Sequence, residues 1–240
     1  MKVLVVSSSD SKGGAARASL RLHNAFLARG LNSQLLCQHK GTAAKNVIQR
    51  SSFLSRLIDI FRPKLDVLYG RIYHRKTSHI FSSAVLPNGG LVDEINKIAP
   101  DVVNLHWVNG GMFSLDDILK IKAPIVWTLH DNWLLTGGCH VFKDCDKYLG
   151  KCGNCPILQS GVDNDLSAKN LVRKKLFLSE LNRINRLHVI CLSQWLYRSS
   201  EKASIMRGIK KSVIGNPIDT NVFVNLDKNR AKSQLGVTSD

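Results

Sequence analysis

Met1-Lys2-Val3-Leu4-Val5-Val6-Ser7-Ser8, followed by Ser9-Asp10-Ser11-Lys12-Gly13-Gly14, is the stretch that decides the fold. A short valine-rich run ending in a polar, glycine-terminated loop has the pattern of a buried strand feeding a tight turn. Ala15 to Arg29 then takes helical spacing, with Leu20, Leu22, Ala25, Phe26 and Leu27 near one face and Arg17, Arg21 and Arg29 outside it. Gly30 ends that helix, and Asn32 to Gln38 reads as a second buried strand. Strand, loop, helix and strand in this order form the unit of a parallel sheet with crossover helices.

The same alternation continues outward. Leu91 to Ile98 is a helix, and Pro100-Asp101 leads into a strand at Val102 to His106. Leu115 to Ile121 is a short helix before a strand at Ile125 to Leu129. A long basic helix at Ser167 to Arg186, a strand at His188 to Leu192, a helix at Gln194 to Met206 and a short strand at Lys211 to Ile214 complete the series. This predicts an α/β protein with a Rossmann-like, doubly wound parallel sheet. Two segments depart from it. Thr136 to Ser160 is rich in glycine and cysteine and has no regular period. Phe53 to Tyr73 carries a helical apolar stripe (Leu54, Leu57, Ile58, Phe61, Leu65, Leu68, Tyr69, Ile72) interrupted by Pro63. Arg56, Arg62, Lys64, Arg71 and Arg75 flank that stripe, a pattern open to packing on its own domain or to lying on an anionic membrane surface.

The 240 residues are 44% hydrophobic and 22% charged, an ordinary globular composition that excludes a disordered or fibrous chain. The formal net charge of +16 is concentrated in two stretches. Lys40 to Lys76 holds nine basic and two acidic residues, and Ser167 to Lys211 holds eleven and two. Such clusters attract polyanions, whether nucleic acid, anionic lipid or phosphorylated substrates, or they are simply solvated helix faces. Only Val3 to Val6 follows Lys2 as an apolar run, too short for a secretory signal, and no run reaches the ~18 residues of a membrane span. A cytoplasmic protein is expected, peripheral at the inner face of the plasma membrane if the basic segments bind lipid. Its six cysteines then point to thiols or metal ligands before disulfides.

Thr128-Leu129-His130-Asp131-Asn132-Trp133, Thr136-Gly137-Gly138-Cys139 and Cys152-Gly153-Asn154-Cys155-Pro156 together resemble glycosyltransferases of family 4, in particular the colanic-acid-type branch that builds bacterial surface polysaccharide. Gly13-Gly14-Ala15-Ala16, Asp101 to Trp107, Leu192-Ser193-Gln194-Trp195 and Gly215-Asn216-Pro217-Ile218-Asp219 extend the resemblance over almost the whole chain. The resemblance implies a GT-B fold, two Rossmann-like domains facing across a cleft. Residues 1–215 would be the acceptor-side domain, with 136–160 as a cysteine-rich insertion. Residues 216–240 would lead into a donor-binding domain that the chain does not reach, so the chain alone is expected to be inactive. The implied reaction is transfer of a hexosyl-type sugar, with retention, from a nucleotide-diphosphate sugar to a lipid-linked glycan acceptor.

The chemistry-bearing residues follow the sheet edge. Gly13 and Gly14 lie between a strand and a helix N-terminus, where backbone amides and the helix dipole favour an anion, and Arg17 one turn in can add charge. By resemblance they contact the donor. His130 and Asp131 end a buried strand at the ligand edge of the sheet; the resemblance gives His130 the donor sugar, and Asp131 could orient His130, cap the following turn or act as a base, the orienting role being favoured because transfer with retention calls for no dedicated base. His106, Trp107, Asn109 and Trp133 are candidate acceptor contacts at the same edge, the tryptophans equally well core residues. Cys139, Cys145, Cys152 and Cys155, spaced C-x5-C-x6-C-x2-C, suit one structural zinc, with His140 and Cys37 as spare ligands; unconnected thiols are the alternative. Cys37 and Cys191 sit in predicted strands as core residues, and no catalytic metal is expected. A rival reading from another class is a zinc-containing basic nucleic-acid-binding protein, supported by the charge and the cysteines but by no nucleic-acid motif.

Overall fold

The computed structural model describes residues 1–71 and 80–237 and, of 69–71, the backbone only. Ile72, Tyr73 and Arg75 of the basic segment therefore lie outside the described residues. Seven strands form one sheet: β1 (Lys2–Ser9), β2 (Asn32–His39), β3 (Val47–Ile48), β4 (Val102–His106), β5 (Ile125–Leu129), β6 (Leu187–Cys191) and β7 (Lys210–Val213). Their order is β3-β2-β1-β4-β5-β6-β7, and every pairing is parallel. Helices α1 (Gly14–Ala28), α2 (Phe53–Arg71), α3 (Gly89–Ile98), α4 (Leu115–Leu119), α5 (Leu166–Arg183) and α6 (Gln194–Lys202) connect them, and α7 (Lys228–Gln234) follows with no buried residue. The predicted doubly wound sheet is present, and the chain reverses its direction of travel across the sheet between β1 and β4.

Alternation along the strands divides the core. Leu4, Val6, Leu36, Val103, Leu105, Trp127 and Leu129 point into one large cluster with Ile95 of α3, Ile118 of α4 and Phe177 and Leu181 of α5. Val3, Val5, Leu35 and Cys37 point the other way, against Leu20 and Phe26 of α1. Helix α1 covers only the β1–β2 end of that second face. Further along it, Asn104, His106, Val126, Thr128 and Ile190 line an open groove with Leu22, Phe26 and Pro217.

Two helices bury different faces from those their apolar spacing suggests. In α1 the buried residues are Ala16, Ala18, Ser19 and His23, while Leu22 and Phe26 stay half-buried at the groove. His23 is satisfied inside by Ser33 Oγ and the Lys45 carbonyl, each 2.9 Å away. In α2 the buried residues are Asp59, Arg62 and Asp66, whereas Phe53, Leu54, Leu57, Ile58, Phe61, Leu65 and Leu68 are exposed. Arg62 clasps the Gly111 carbonyl at 2.5 Å and those of Leu86 and Pro87 at 3.0 and 2.9 Å, and Asp59 pairs with Arg50 at 3.4 Å. Pro63 does not break the helix. Its missing N–H would have bonded the Asp59 carbonyl, and Gln38 Nε2 donates there instead at 2.8 Å. Neither the two-residue β3 nor α7, which has no apolar stripe, was expected. Among the described residues no helix is long and apolar enough to cross a membrane.

Candidate active site at the carboxyl edge of the sheet

The β1–α1 loop is shaped from within. Asp10, fully buried, accepts the amides of Gly41 and Thr42 at 2.7 and 3.0 Å and the Thr42 hydroxyl at 2.5 Å, tying the loop to the end of β2. These donors hold its carboxyl below the usual range against the opposing effect of burial, the largest influence on it. Ser9 Oγ takes the amides of Ser11 and Lys12, each at 3.2 Å. Gly13 then turns at φ +92, a backbone that strains any L side chain, and α1 begins without a side-chain cap or an acidic residue in its first turn. Gly13 and Gly14 are exposed, and a Cβ on either would meet nothing within 4 Å. The helix thus presents uncapped first-turn amides to open space at the sheet edge, a favourable seat for an anion.

Across the switch point, the register places Ser7, His106 and Thr128 in one row, facing the same side as α1. Asn104 Nδ2 donates to the Val126 carbonyl and to Thr128 Oγ1, each at 3.0 Å, so its Oδ1 is the acceptor for His106 Nε2–H at 2.5 Å. His106 Nδ1 is left as a lone pair, and His130 Nε2 approaches it at 2.8 Å. His130 therefore carries its proton on Nε2 and keeps Nδ1 as an acceptor. Burial is the main cause that pulls His106 down to about 3 and His130 to about 4, so both rings are neutral at pH 7.

Asp131 has little capacity left for proton abstraction. Its Oδ1 accepts the Trp133 amide at 2.9 Å, and its Oδ2 accepts Trp107 Nε1 at 2.9 Å and His140 Nδ1 at 2.6 Å. Burial acts to raise its pKa, but these donors more than offset it and hold the carboxyl below its ordinary range. The other His140 nitrogen meets Ser82 Oγ at 3.0 Å, so His140 is not the spare metal ligand suggested by its place in the sequence. Trp107, half-buried, adopts φ +45, a left-handed backbone that costs about 1–3 kcal/mol for such a residue and turns its indole toward Asp131. Asn109 is buried and lines the small crevice with Trp107, His130 and Asp131.

Trp133 belongs to the core. Its ring is 2% exposed, stacks on Trp127 and donates its Nε1–H to the Ser82 carbonyl at 2.8 Å. Lys174 Nζ lies 3.5 Å from the ring centroid and donates to the Trp133 and Thr136 carbonyls. That leaves no open ring face for a sugar. Arg17 is exposed on α1.

The cysteine-rich segment folds as an irregular flap beside this edge. Cys139, Cys145, Cys152 and Cys155 are free thiols that line one small cavity. Cys139 and Cys155 join Phe81, Ile157, Leu158 and Leu166 in a minor core. Cys37 and Cys191 are buried in β2 and β6, so Cys37 is not a spare ligand for the flap. Burial drives Cys152 up to about 12.

Three features escaped the sequence. Lys174, fully buried on α5, is pulled down to about 7 by burial. Asp66 is pushed up to about 6 by burial, against the attraction of His140 and Arg62. Trp195 opens α6 with 58% of its surface exposed and stacks on Phe142, which stacks in turn on Tyr148. An aromatic at the first turn after a strand was the available signal for Trp195; nothing local marks Lys174 or Asp66. The basic stretches are also not uniformly solvated, because Arg62 and Lys174 are buried and Arg50 and Arg173 partly so.

The chain is 25% identical over 172 residues to a protein of Escherichia coli strain K12 named as a colanic acid biosynthesis glycosyl transferase, WcaC. That match covers 67% of this chain and 40% of the relative, so the chain spans well under half of the relative's length. Among solved structures it is similar to Anabaena Alr3699/HepE in complex with UDP and glucose, with a TM-score of 0.47 and 15% identity over 98% of this chain and 50% of that one. A UDP-N-acetylglucosamine 4-epimerase from Bacillus cereus aligns at TM-score 0.34 and 9% identity over 100% and 94%. No comparison favours the nucleic-acid-binding reading. The family model for Glycosyltransferase Family 4 matches residues 12–222, the whole span from the glycine loop past the last strand, and the chain belongs to that family.

Proposed function

We propose that this chain forms the acceptor-side wall of a sugar-transfer site, working with a second domain to move a sugar from a nucleotide-diphosphate donor to a glycan acceptor in polysaccharide synthesis. The observation that carries the proposal is the convergence of two unlike groups at the switch point. The uncapped N-terminus of α1 and the His106–His130 pair lie at the same edge and on the same face of the sheet. One suits a diphosphate, the other a hydroxyl.

The proposed division of labour follows from these atoms. The amides of Gly13, Gly14 and Ala15 stabilise the negative charge that grows on the departing diphosphate, and Arg17 adds to the local field. His130 Nδ1 accepts a hydrogen bond from a donor-sugar hydroxyl and fixes the sugar's position. The acceptor hydroxyl oxygen bonds to the anomeric carbon as the bond from that carbon to the phosphate oxygen breaks. Its proton passes to the departing diphosphate. Transfer with retention in this way needs no protein base, in keeping with an Asp131 occupied by three donors. Asp131 instead positions Trp107 and the turn after His130. Trp107 and Asn109 form the acceptor side of the crevice, with the exposed Trp195 as a further platform; Trp133 supports them from the core.

A lipid-linked acceptor fits the exterior of α2. Its exposed apolar residues are bordered by Arg56 and Lys64, and its interior polar stripe anchors it to the domain. Such a face gains free energy by entering the headgroup region of an anionic bilayer.

The test is to assay the 240-residue chain with a panel of nucleotide sugars and lipid-linked acceptors, and then to repeat the assay with a family-matched C-terminal domain fused or added. Turnover appearing only with the second domain is expected, since several kcal/mol of lost donor binding removes several powers of ten in rate. Robust turnover by the chain alone, or none in either case, contradicts the proposal.

A further inference from the structure

Two side chains of the flap, His140 and Phe142, each hold a tryptophan at the carboxyl edge of the sheet. The stretch that carries them is pinned from behind. Cys139 pairs with Phe81 in an antiparallel bridge, and the His140 carbonyl accepts the Asn132 amide at 3.0 Å. His140 Nδ1 donates to Asp131 Oδ2 at 2.6 Å, the oxygen that also accepts Trp107 Nε1–H at 2.9 Å, and its ring centroid lies 5.5 Å from that of Trp107. A left-handed backbone such as that of Trp107 persists where surrounding contacts over-determine it, and Asp131 and His140 supply those contacts. Phe142 stacks on Tyr148 at 4.3 Å and on Trp195 at 5.6 Å between centroids, with the planes 17° and 27° apart. The series runs outward from the main core: Tyr148 belongs to it, Phe142 packs against it, and Trp195 is exposed.

Trp195 comes from Leu192-Ser193-Gln194-Trp195, the connection from β6 into α6. Ser193 caps α6 by accepting the Leu196 amide at 3.2 Å, which fixes where the helix starts and where the indole emerges. Strands β4 and β6 flank β5, so Trp107 and Trp195 follow the carboxyl ends of the strands on either side of the one that leads to His130 and Asp131. Those outer strands stand two spacings apart, about 10 Å. Among the described residues no three His, Cys, Asp or Glu side chains are placed to hold a metal, so what the flap brings to this edge is an imidazole and a phenyl ring.

We propose that Trp107 and Trp195 are paired sugar-ring platforms for an oligosaccharide acceptor, and that the flap selects the acceptor by holding both. The proposal rests on the sugar-transfer function put forward for this edge and makes its acceptor a glycan of at least two rings. A pyranose presents C–H groups on its faces and hydroxyls around its rim. The faces suit an indole, an apolar ring with a polar edge. An indole already clamped by a neighbouring ring loses little freedom when a ligand stacks on it, so more of the contact appears as affinity. The separation of the two strands suits successive rings of one chain better than a single sugar.

The experiment uses the whole 240-residue chain without donor or second domain, so its outcome does not depend on turnover. Indole resonances are followed while methyl glycosides, disaccharides and tetrasaccharides of glucose, galactose and N-acetylglucosamine are added, with nucleosides as the control. Saturable shifts are expected at Trp107 and Trp195, with affinity rising from one ring to four. Trp195→Ala, at an exposed position, should fold normally and weaken tetrasaccharide binding roughly fivefold, the contribution of one aromatic contact; Trp195→Phe should retain part of it. His140→Ala should shift the Trp107 Nε1–H resonance and weaken binding, and His140→Asn, which can still offer an N–H to Asp131, should recover part of both. Should the His140 variants fail to fold, the Trp195 variants decide alone. No binding of any of these sugars, binding unchanged in Trp195→Ala, or shifts given by nucleosides and not by sugars overturns the proposal. Glycan binding at these indoles without transfer in the two-domain enzyme would leave the platforms standing and remove the sugar-transfer function; transfer without such binding would do the reverse.

Discussion

His106 Nδ1 and His130 Nε2 face each other at 2.8 Å at the carboxyl ends of adjacent strands, and Asn104 fixes which nitrogen of each ring holds the proton. Nitrogen chemical shifts of the imidazoles at neutral pH should show His130 protonated at Nε2 and bare at Nδ1. In the two-domain enzyme, His130→Ala should lower turnover more than tenfold, or more than about 1.4 kcal/mol in barrier, with little change in melting temperature. An Nδ1–H tautomer, an unfolded variant or full activity would each contradict the role given to this ring.

Acid should destabilise the domain in two stages. The folded-state pKa values of His106 and His130, about 3 and about 4, lie below the unfolded value of roughly 6.5. Between those limits the unfolded chain binds more protons, so the neutral rings' contribution is lost as pH falls from about 6.5 toward 4. Asp131 acts lower down. Its folded pKa is depressed below 3.8, so its contribution is present above that value and lost as pH drops through the folded one. Melting curves taken across this range should fall steadily, and His130→Ala should flatten the upper stage. A melting temperature independent of pH over the upper stage would contradict the burial of neutral imidazoles.

The outward face of α2 should bind anionic vesicles. Phe61→Asp and Leu57→Asp place charge on an exposed apolar surface, where they should weaken vesicle binding without unfolding the domain. Added salt should weaken the wild-type interaction, because exposed charges are screened over ~8 Å at physiological ionic strength. Sedimentation with anionic and neutral vesicles measures both effects; equal partitioning onto the two compositions would argue against the assignment.

Where apolar residues alternate toward the main core, the fold was legible from the residues. Val102 to His106 and Ile125 to Leu129 have the predicted bounds: Val103, Leu105, Ile125, Trp127 and Leu129 face the large core, and Pro100-Asp101 and Ala123-Pro124 mark the starts. Spacing misled in α1 and α2 for a shared reason: it reports which face is apolar, not which neighbours exist. Among the described residues, α1 is the helix packed on its side of the sheet and covers only the β1–β2 end, so Leu22 and Phe26 border an open groove. In α2 the loops at Leu86 to Asn88 and Gly110 to Met112 offer carbonyls, and Arg62 meets them at the cost of an apolar exterior. Motif residues lie at the carboxyl edge as expected, yet the partners that set their chemistry were not singled out: Asn104 lies two residues from His106 in the same strand, and Lys174, which holds Trp133, comes from α5.

The sheet edge between the start of α1 and His130 is proposed to receive a nucleotide-diphosphate sugar. Titrating the isotopically labelled chain with a panel of nucleotide-diphosphate sugars, and following backbone amide and imidazole resonances, tests it most directly. Saturable shifts are expected at the amides of Gly13, Gly14 and Ala15 and at the His130 ring, lost in Gly13→Val at the glycine loop. Shifts confined to the flap, the α2 face or the open groove by Phe26, with the α1 N-terminus and His130 unmoved, would contradict it.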